Sequence, residues 1–246
     1  MQTAFQTTLG EVRGTLVPDL SGPHGPLPPL LLGLTLVTGL VDAFSYLVLG
    51  HVFVANMTGN VVFMAFSLAG AGGFSVLASV LSLVSFMAGA AGGGLLANRV
   101  TAHRGRLLLS AAAGQTVLVL AAWVLGRLVH LPAGHGARWA LIVLLGLPMG
   151  VQNAVVRRLA VPDLTTTVLT LTITGVAADS RLAGGPSSKV GRRLLSALAM
   201  FLGALAGAAL IGHGHRDLPL LIGAALLAAV AAGLLPHRRS TLAWTG

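Results

Sequence analysis

The composition of the chain excludes a soluble globular domain. Its 246 residues are 55% hydrophobic and 9% charged, with a mean hydropathy of +0.88, whereas about a quarter of the residues of a typical soluble domain are charged. The net charge of +9 would also suit a nucleic-acid-binding protein, but the arginines flank apolar segments instead of following one amphipathic face. We therefore predict a polytopic protein of the lipid bilayer, with no nucleic-acid partner.

The chain begins with a segment that we predict to be a flexible leader, residues 1–29. It lacks the basic stretch and apolar core of a cleaved signal peptide. Its later part contains Pro18, Pro23, Pro26, Pro28 and Pro29, which disfavour regular structure. Residues 30–236 are predicted to form a single membrane domain, followed by a short cytoplasmic tail, residues 237–246.

Eight apolar segments follow the leader. Their continuous hydrophobicity is typical of membrane helices, since the strands of a membrane barrel would alternate apolar and polar residues. We predict an all-α membrane helix bundle, and at about 20 residues per crossing the chain has room for six to eight crossings. The segments are Leu30–Leu49, Val52–Ala69, Ser75–Ala97, Leu107–Val129, Ala137–Val156, Leu164–Ala178, Leu194–Ile211 and Leu218–Leu235.

The distribution of arginine distinguishes six crossings from eight. With eight crossings and a cytoplasmic N-terminus, one group of arginines would face outward, against the positive-inside rule. That group is Arg99, Arg104, Arg106, Arg157 and Arg158. If the second and sixth segments enter and leave on one side, this group becomes cytoplasmic and only Arg127, Arg138 and Arg216 remain outside. The charge rule therefore favours six crossings.

The two halves of the chain resemble each other. Gly39-Leu-Val-Asp42-Ala aligns with Gly150-Val-Gln-Asn153-Ala, and a little further on Met57-Thr58 aligns with Leu169-Thr170. We predict an internal duplication, with halves at about residues 30–130 and 137–236. In the six-crossing arrangement each half crosses three times, so the halves would be inverted, as in many secondary transporters.

Asp42 is the first candidate site residue, because a carboxylate inside a membrane segment is costly and is usually retained for a function. Thr35, Thr38, Asp42 and Ser45 lie on one helical face at spacings of three, four and three, so this face should point into the protein. Two interpretations stay open: Asp42 binds a cation or proton, or it is a structural hydrogen-bonding group, with Asn56 or Asn153 as its partner.

The remaining candidates are amides and hydroxyls. Asn56, Thr58 and Asn60 surround Gly59, and such groups either replace water around a solute or form interhelical hydrogen bonds worth about 1 kcal/mol each. In the second half, Gln152 and Asn153 align beside Asp42. Thr166, Thr170 and Thr174 are spaced to form a hydroxyl ladder on one helix face, for which helix packing is the alternative.

Motifs for catalysis and metal binding are missing from the sequence. It contains no phosphate-binding glycine loop, no HExxH and no GxSxG pattern, and it has no cysteine. His130, His135, His213 and His215 have no zinc-ligand spacing. We expect a protein that is not an enzyme and that uses no metal or other cofactor.

Several strings resemble a known family. These are Gly39–Ser45, Val-Phe-Val-Ala-Asn-Met-Thr-Gly-Asn at 52–60, Met-Gly-Val-Gln-Asn-Ala at 149–154 and Pro-Asp-Leu-Thr-Thr-Thr-Val-Leu-Thr at 162–170. In these strings, and in their order and spacing, the chain resembles the YoaK-type family of bacterial integral membrane proteins. The resemblance implies a multi-pass protein of the bacterial inner membrane. It implies no substrate, because the family is a domain of unknown function.

The sequence thus predicts a small-solute transporter or permease whose polar site lies between the two halves, and whose substrate is a small molecule or an ion. The alternative is a non-transporting membrane scaffold or regulatory protein in which the same polar residues hold helices together.

Overall fold

The structure, a computed structural model, describes residues 2–100, 103–129, 131, 134–164, 166, 169–178 and 190–246. This part of the chain is helical and contains no strand beyond one isolated bridge between Asp19 and Gly25. The predicted all-α class is confirmed. The helices are α1 (Gln2–Leu16), α2 (Leu27–Val48), α3 (Met57–Leu68), α4 (Val76–Arg99), α5 (Arg104–Leu128), α6 (His135–Leu159), α7 (Leu169–Ala178), α8 (Val190–Gly212) and α9 (Leu218–Leu234).

Six of these helices are long and apolar enough to cross a membrane, namely α2, α4, α5, α6, α8 and α9. The second and sixth apolar segments contain α3 and α7 instead. With 12 residues, α3 is too short to cross, because a crossing needs about 20. In the described part of the chain α7 has 10 residues and is not among the candidate spans. The lower limit of the predicted range, six crossings, is therefore the one that the helix lengths support.

The segment before the first span differs from the predicted flexible leader. Residues 2–16 form α1, which contacts the start of α8 where the Glu11 carboxylate accepts the backbone N–H of Gly191 at 3.0 Å. The prolines near residue 28 do not end a helix here but begin one, since α2 starts at Leu27 with Pro28 in its first turn. A proline there lacks only an N–H that has no intrahelical partner.

Basic residues mark one end of the bundle. At this arginine-rich end, the His103 ring contacts the Ser240 carbonyl at 3.0 Å and the Arg192 guanidinium contacts the Pro162 carbonyl at 3.3 Å. The opposite end holds the three arginines predicted to lie apart from the rest: Arg127 near Asp217, Arg138 against the Gly50 carbonyl and Arg216 against the Leu131 carbonyl. Two further basic residues that the six-crossing arrangement places in the cytoplasm, Arg181 and Lys189, lie outside the described residues.

Glycines bring two helix pairs into backbone contact, α4 with α6 and α2 with α8. A Cβ at Gly89 would collide with the Leu147 carbonyl, and a Cβ at Gly203 with the Leu36 carbonyl. The alignment of the two halves places Leu36 over Leu147, and a further shift of three residues places Gly89 over Gly203. The other helix contacts correspond as well, because α3 packs on α4 as α7 packs on α8, and α5 packs on α6 as α9 packs on α2.

Candidate functional site

Asp42 anchors the segment between α2 and α3, residues 52–56, which is called the inward segment below. Its Oδ1 accepts the backbone N–H groups of Val54 at 3.0 Å and Ala55 at 2.9 Å, and its Oδ2 accepts the side-chain amide of Asn56. The side chain is only 4% exposed. Because Asp42 lies six residues before the end of α2, these bonds show that the chain folds back into the bundle after Val48.

Asn60 closes the same segment from the other side. Its Oδ1 accepts the Phe53 N–H at 2.9 Å, and its Nδ2 donates to the Phe53 carbonyl at 2.6 Å and to the Ser82 hydroxyl at 3.1 Å. The Ser82 hydroxyl in turn donates to the Phe53 carbonyl at 2.6 Å. Non-helical backbone in a membrane needs such partners, since the hydrocarbon offers none.

The residues before the inward segment lie close to the residues after α3. The His51 ring contacts the carbonyl of Gly73 at 2.8 Å, so the residues just before the inward segment meet the residues just after α3. Gly59 permits the tight packing, because a Cβ there would approach the Phe53 ring to 2.7 Å. Segment and helix together enter and leave at one end of the bundle, as the arginine distribution predicts.

The polar face of α2 is buried, as predicted. Thr35, Thr38, Asp42 and Ser45 are at most 4% exposed, and the hydroxyls of Thr35 and Thr38 donate to carbonyls one turn earlier at 2.9 and 3.0 Å. This back-bonding satisfies a hydroxyl without a ligand.

A second polar group connects three spans. The Gln152 amide of α6 donates to the Thr38 hydroxyl of α2 at 2.8 Å. The Gln115 amide of α5 donates to the Gln152 side-chain oxygen at 3.1 Å and to the Pro148 carbonyl at 2.8 Å. All three polar side chains are at most 2% exposed, so this junction holds the spans together in a dry interior.

The third polar group lines a cavity of about 950 Å³ between α4, α6 and the segment after α6. Asn153 and Thr166 lie in its wall, and Arg157 and Arg158 lie toward the arginine-rich end. The Asn153 amide donates to the Met149 carbonyl at 2.9 Å. The Thr166 hydroxyl is buried and has no hydrogen-bond partner within the described residues.

The helical threonine ladder predicted from Thr166 to Thr174 is wrong at its first member. Ala160 and Asp163 have positive φ angles, 49° and 62°, and α7 begins only at Leu169. Thr166 therefore precedes the helix and is buried, whereas Thr170 and Thr174 are exposed on α7. Arg193 holds the segment through an ion pair with Asp163 at 2.8 Å.

The structure thus divides the candidate residues instead of gathering them in one centre. Asp42, Asn56 and Asn60 surround the inward segment, Gln152 belongs to the three-helix junction, and Asn153 and Thr166 line the cavity. Thr58 and Thr170 are exposed.

Sequence reasoning missed Gln115 and Ser82. A signal existed for both residues: Gln115 is the only carboxamide in α5, and Ser79, Ser82 and Ser85 recur every third residue along α4.

These features define a multi-pass helical membrane protein in which a half-span helix follows an inward-folded segment. The chain belongs to the family described as "Protein of unknown function (DUF1275)", whose model matches residues 30–233. It is similar to the UPF0700 transmembrane protein YoaK of Bacillus subtilis (strain 168), with 31% identity over 152 residues. The match covers 61% of this chain and 65% of that relative. No solved structure matches.

Proposed function

We propose that this protein is a small-solute transporter and that the cavity lined by Asn153 and Thr166 is its solute site. The observation that carries the proposal is this cavity, whose volume of about 950 Å³ lies within the range of about 300–1,000 Å³ typical of ligand pockets. It extends from the level of Arg157 and Arg158 to a buried hydroxyl without a partner, where a solute would supply the missing hydrogen bond.

The chemistry of the cavity favours an anion or a strongly polar neutral solute. The side chains of Asn98, Asn153 and Thr166 offer hydrogen bonds, and two arginines contribute positive charge. No carboxylate is among its lining residues in the described part of the chain. The opposite wall is formed by Phe86, Ala90, Gly94 and Ala97. We propose binding and release of an unaltered solute, without a catalytic role.

The proposed mechanism is exchange between two inverted halves. The corresponding glycine contacts of α4 with α6 and of α8 with α2 support an internal duplication. In the first half, Asp42 and Asn60 hold the inward segment closed, while the corresponding region of the second half lines an open cavity. An inverted repeat with one open and one closed half is what alternating access requires.

We also propose that the protein lies in the bacterial cytoplasmic membrane with its arginine-rich end in the cytoplasm. The distribution of arginine between the two ends supports this orientation. The Bacillus subtilis relative, named a transmembrane protein, supports the bacterial membrane.

A non-transporting scaffold is the second candidate function. The pairing of Asp42, Asn60 and Gln152 with groups of the protein itself favours it, because residues so engaged have a structural role that needs no solute. The two candidates differ in whether the cavity beside Asn153 contains water and accepts a solute.

Cysteine labelling tests the cavity directly, because the natural chain contains no cysteine. In proteoliposomes, Asn153→Cys should react with a membrane-impermeant thiol reagent applied at the arginine-rich end. Thr38→Cys, at a fully buried position of α2, should not react. Equal lack of reaction at both positions would favour the scaffold.

Uptake into the same vesicles tests transport. We expect saturable uptake of at least one of three labelled probes: acetate, inorganic phosphate and glycerol. Asn153→Leu should reduce this uptake at least tenfold, whereas Thr170→Ala, on an exposed face of α7, should leave it unchanged.

Asp42→Asn is the comparison for proton coupling, and unchanged transport in this variant would exclude such a role for Asp42.

A further inference from the structure

A second cavity at the arginine-rich end has no part in the solute site described above. Its volume is about 580 Å³, which is also typical of ligand pockets. Its walls come from the end of α4, the start of α5 and the segment after α9. The lining residues are Arg99, Val100, His103, Arg106, Leu109, Ser110, Arg238 and Arg239.

The wall of this cavity is held together by two contacts between α5 and the C-terminal segment. The His103 Nδ1 accepts the backbone N–H of Arg106 at 3.1 Å, so the proton of the neutral ring lies on Nε2, which donates to the Ser240 carbonyl at 3.0 Å. The Arg106 Nε donates to the Arg238 carbonyl at 2.6 Å. These bonds keep Arg238 and Arg239 beside the start of α5.

Among the described residues, no carboxylate lies in the wall of this cavity beside its four arginines. The chain contains six Asp and Glu residues, and those in the described part have partners elsewhere: Glu11 at Gly191, Asp19 at Ser21, Asp42 at Val54, Asp163 at Arg193 and Asp217 at Arg127. Four like charges around one cavity repel each other, and a bound anion would relieve this repulsion.

The position of the cavity favours a lipid over a soluble anion. Arg99 is the last residue of α4 and Arg106 lies in the first turn of α5, so the guanidinium groups lie at the level where a bilayer carries its headgroups. Val100 and Leu109 give the cavity an apolar side. Basic pockets between membrane helices are known to bind anionic headgroups, and guanidinium groups bind phosphate through paired hydrogen bonds.

We propose that this cavity binds the phosphate headgroup of an anionic phospholipid, whose acyl chains lie along α4 and α5. The ligand class is independent of the transported solute. Loss of lipid binding and loss of transport are therefore separate outcomes.

Lipid titration of the purified full chain in a zwitterionic detergent tests this proposal. The melting temperature is followed against phosphatidylglycerol, phosphatidylcholine with the same acyl chains, and inorganic phosphate. Phosphatidylglycerol alone should raise it. In the Arg99→Gln/Arg239→Gln variant its affinity should fall about twenty-five-fold, since each arginine near a membrane surface contributes about fivefold.

Two further variants keep the test informative. Arg127→Gln/Arg216→Gln removes the same charge at the opposite end and should bind phosphatidylglycerol as the parent does. Arg99→Lys/Arg239→Lys keeps the charge and should show a smaller loss, since lysine cannot form the paired bonds. Parent-like binding by both Arg99/Arg239 variants would overturn the proposal, as would an equal response to inorganic phosphate, which would indicate a site for soluble anions.

Discussion

Asp42 and Asn60 show what a polar residue can do inside a membrane protein besides binding a ligand. Each provides hydrogen bonds to backbone that is not helical, at Val54 and Ala55 in one case and at Phe53 in the other. Without these partners the inward segment would carry unpaired peptide groups in an apolar environment. The polar side chains therefore satisfy the non-helical backbone that leads into α3.

Replacing Asp42 should destabilise the fold in a graded way. A buried donor without a partner costs about 1–3 kcal/mol, so Asp42→Ala, which frees two backbone N–H groups, should lower the free energy of unfolding by roughly 2–6 kcal/mol. Asp42→Asn keeps one carbonyl oxygen and should cost less. Thermal unfolding in detergent measures both.

Asp19→Ala is the matched control for this series. Asp19 also accepts a backbone N–H and a hydroxyl, both from Ser21, but these bonds are exposed to solvent. Its replacement should change the free energy of unfolding by less than about 0.5 kcal/mol. Equal effects at Asp19 and Asp42 would contradict the role given to Asp42.

At the scale of the element, close approach of helices depends on a few glycines. Gly89 of α4 and Gly203 of α8 contact the backbone of the facing helix, whereas at Gly92, also in α4, no atom of a facing helix lies within 4 Å of where a Cβ would be. Small residues at such positions permit the backbone contacts that replace the hydrophobic effect between membrane helices.

Alanine substitution should separate packing glycines from exposed ones. Gly89→Ala and Gly203→Ala should each destabilise the protein by about 1–3 kcal/mol through overpacking. Gly92→Ala should be neutral or stabilising, because alanine favours a helix by about 1 kcal/mol over glycine. Similar melting temperatures for all three variants would contradict the close contacts.

At the scale of the whole molecule, the number of crossings decides on which side each loop lies. With six crossings, the turn after α3 lies at the end opposite to the arginine-rich end. With eight crossings it would lie on the same side of the membrane as α1 and the N-terminus.

Labelling with an impermeant thiol reagent on intact cells should therefore distinguish the two arrangements. We expect Gly72→Cys, in the turn between α3 and α4, to be labelled from outside, and Gly14→Cys, in α1, to be protected. His215→Cys should be labelled in either arrangement and serves as the positive control. Protection of Gly72→Cys alongside labelling of His215→Cys would indicate eight crossings.

Sequence-based prediction located most helices of this protein within a few residues. The span predicted at Leu218–Leu235 is α9 at Leu218–Leu234, and the one predicted at Ser75–Ala97 is α4 at Val76–Arg99. Hydropathy and charge are properties of contiguous segments, so the helical class, the lipid environment and the arginine-rich end followed from the order of residues. The strings around Asp42 and Asn60 also identified the family, which the match over residues 30–233 confirms.

Only the tertiary structure showed what each polar residue contacts. The partner of Asn60 is the backbone of Phe53, and the partner of Gln152 is Thr38 in the other half of the chain. Thr166 lies before α7, in the wall of a cavity. Such pairings join residues that are distant in sequence, or depend on where a helix begins. The sequence determined which segments enter the membrane, because that depends on local transfer free energy; the packing of the helices decided which polar groups remain available to a solute.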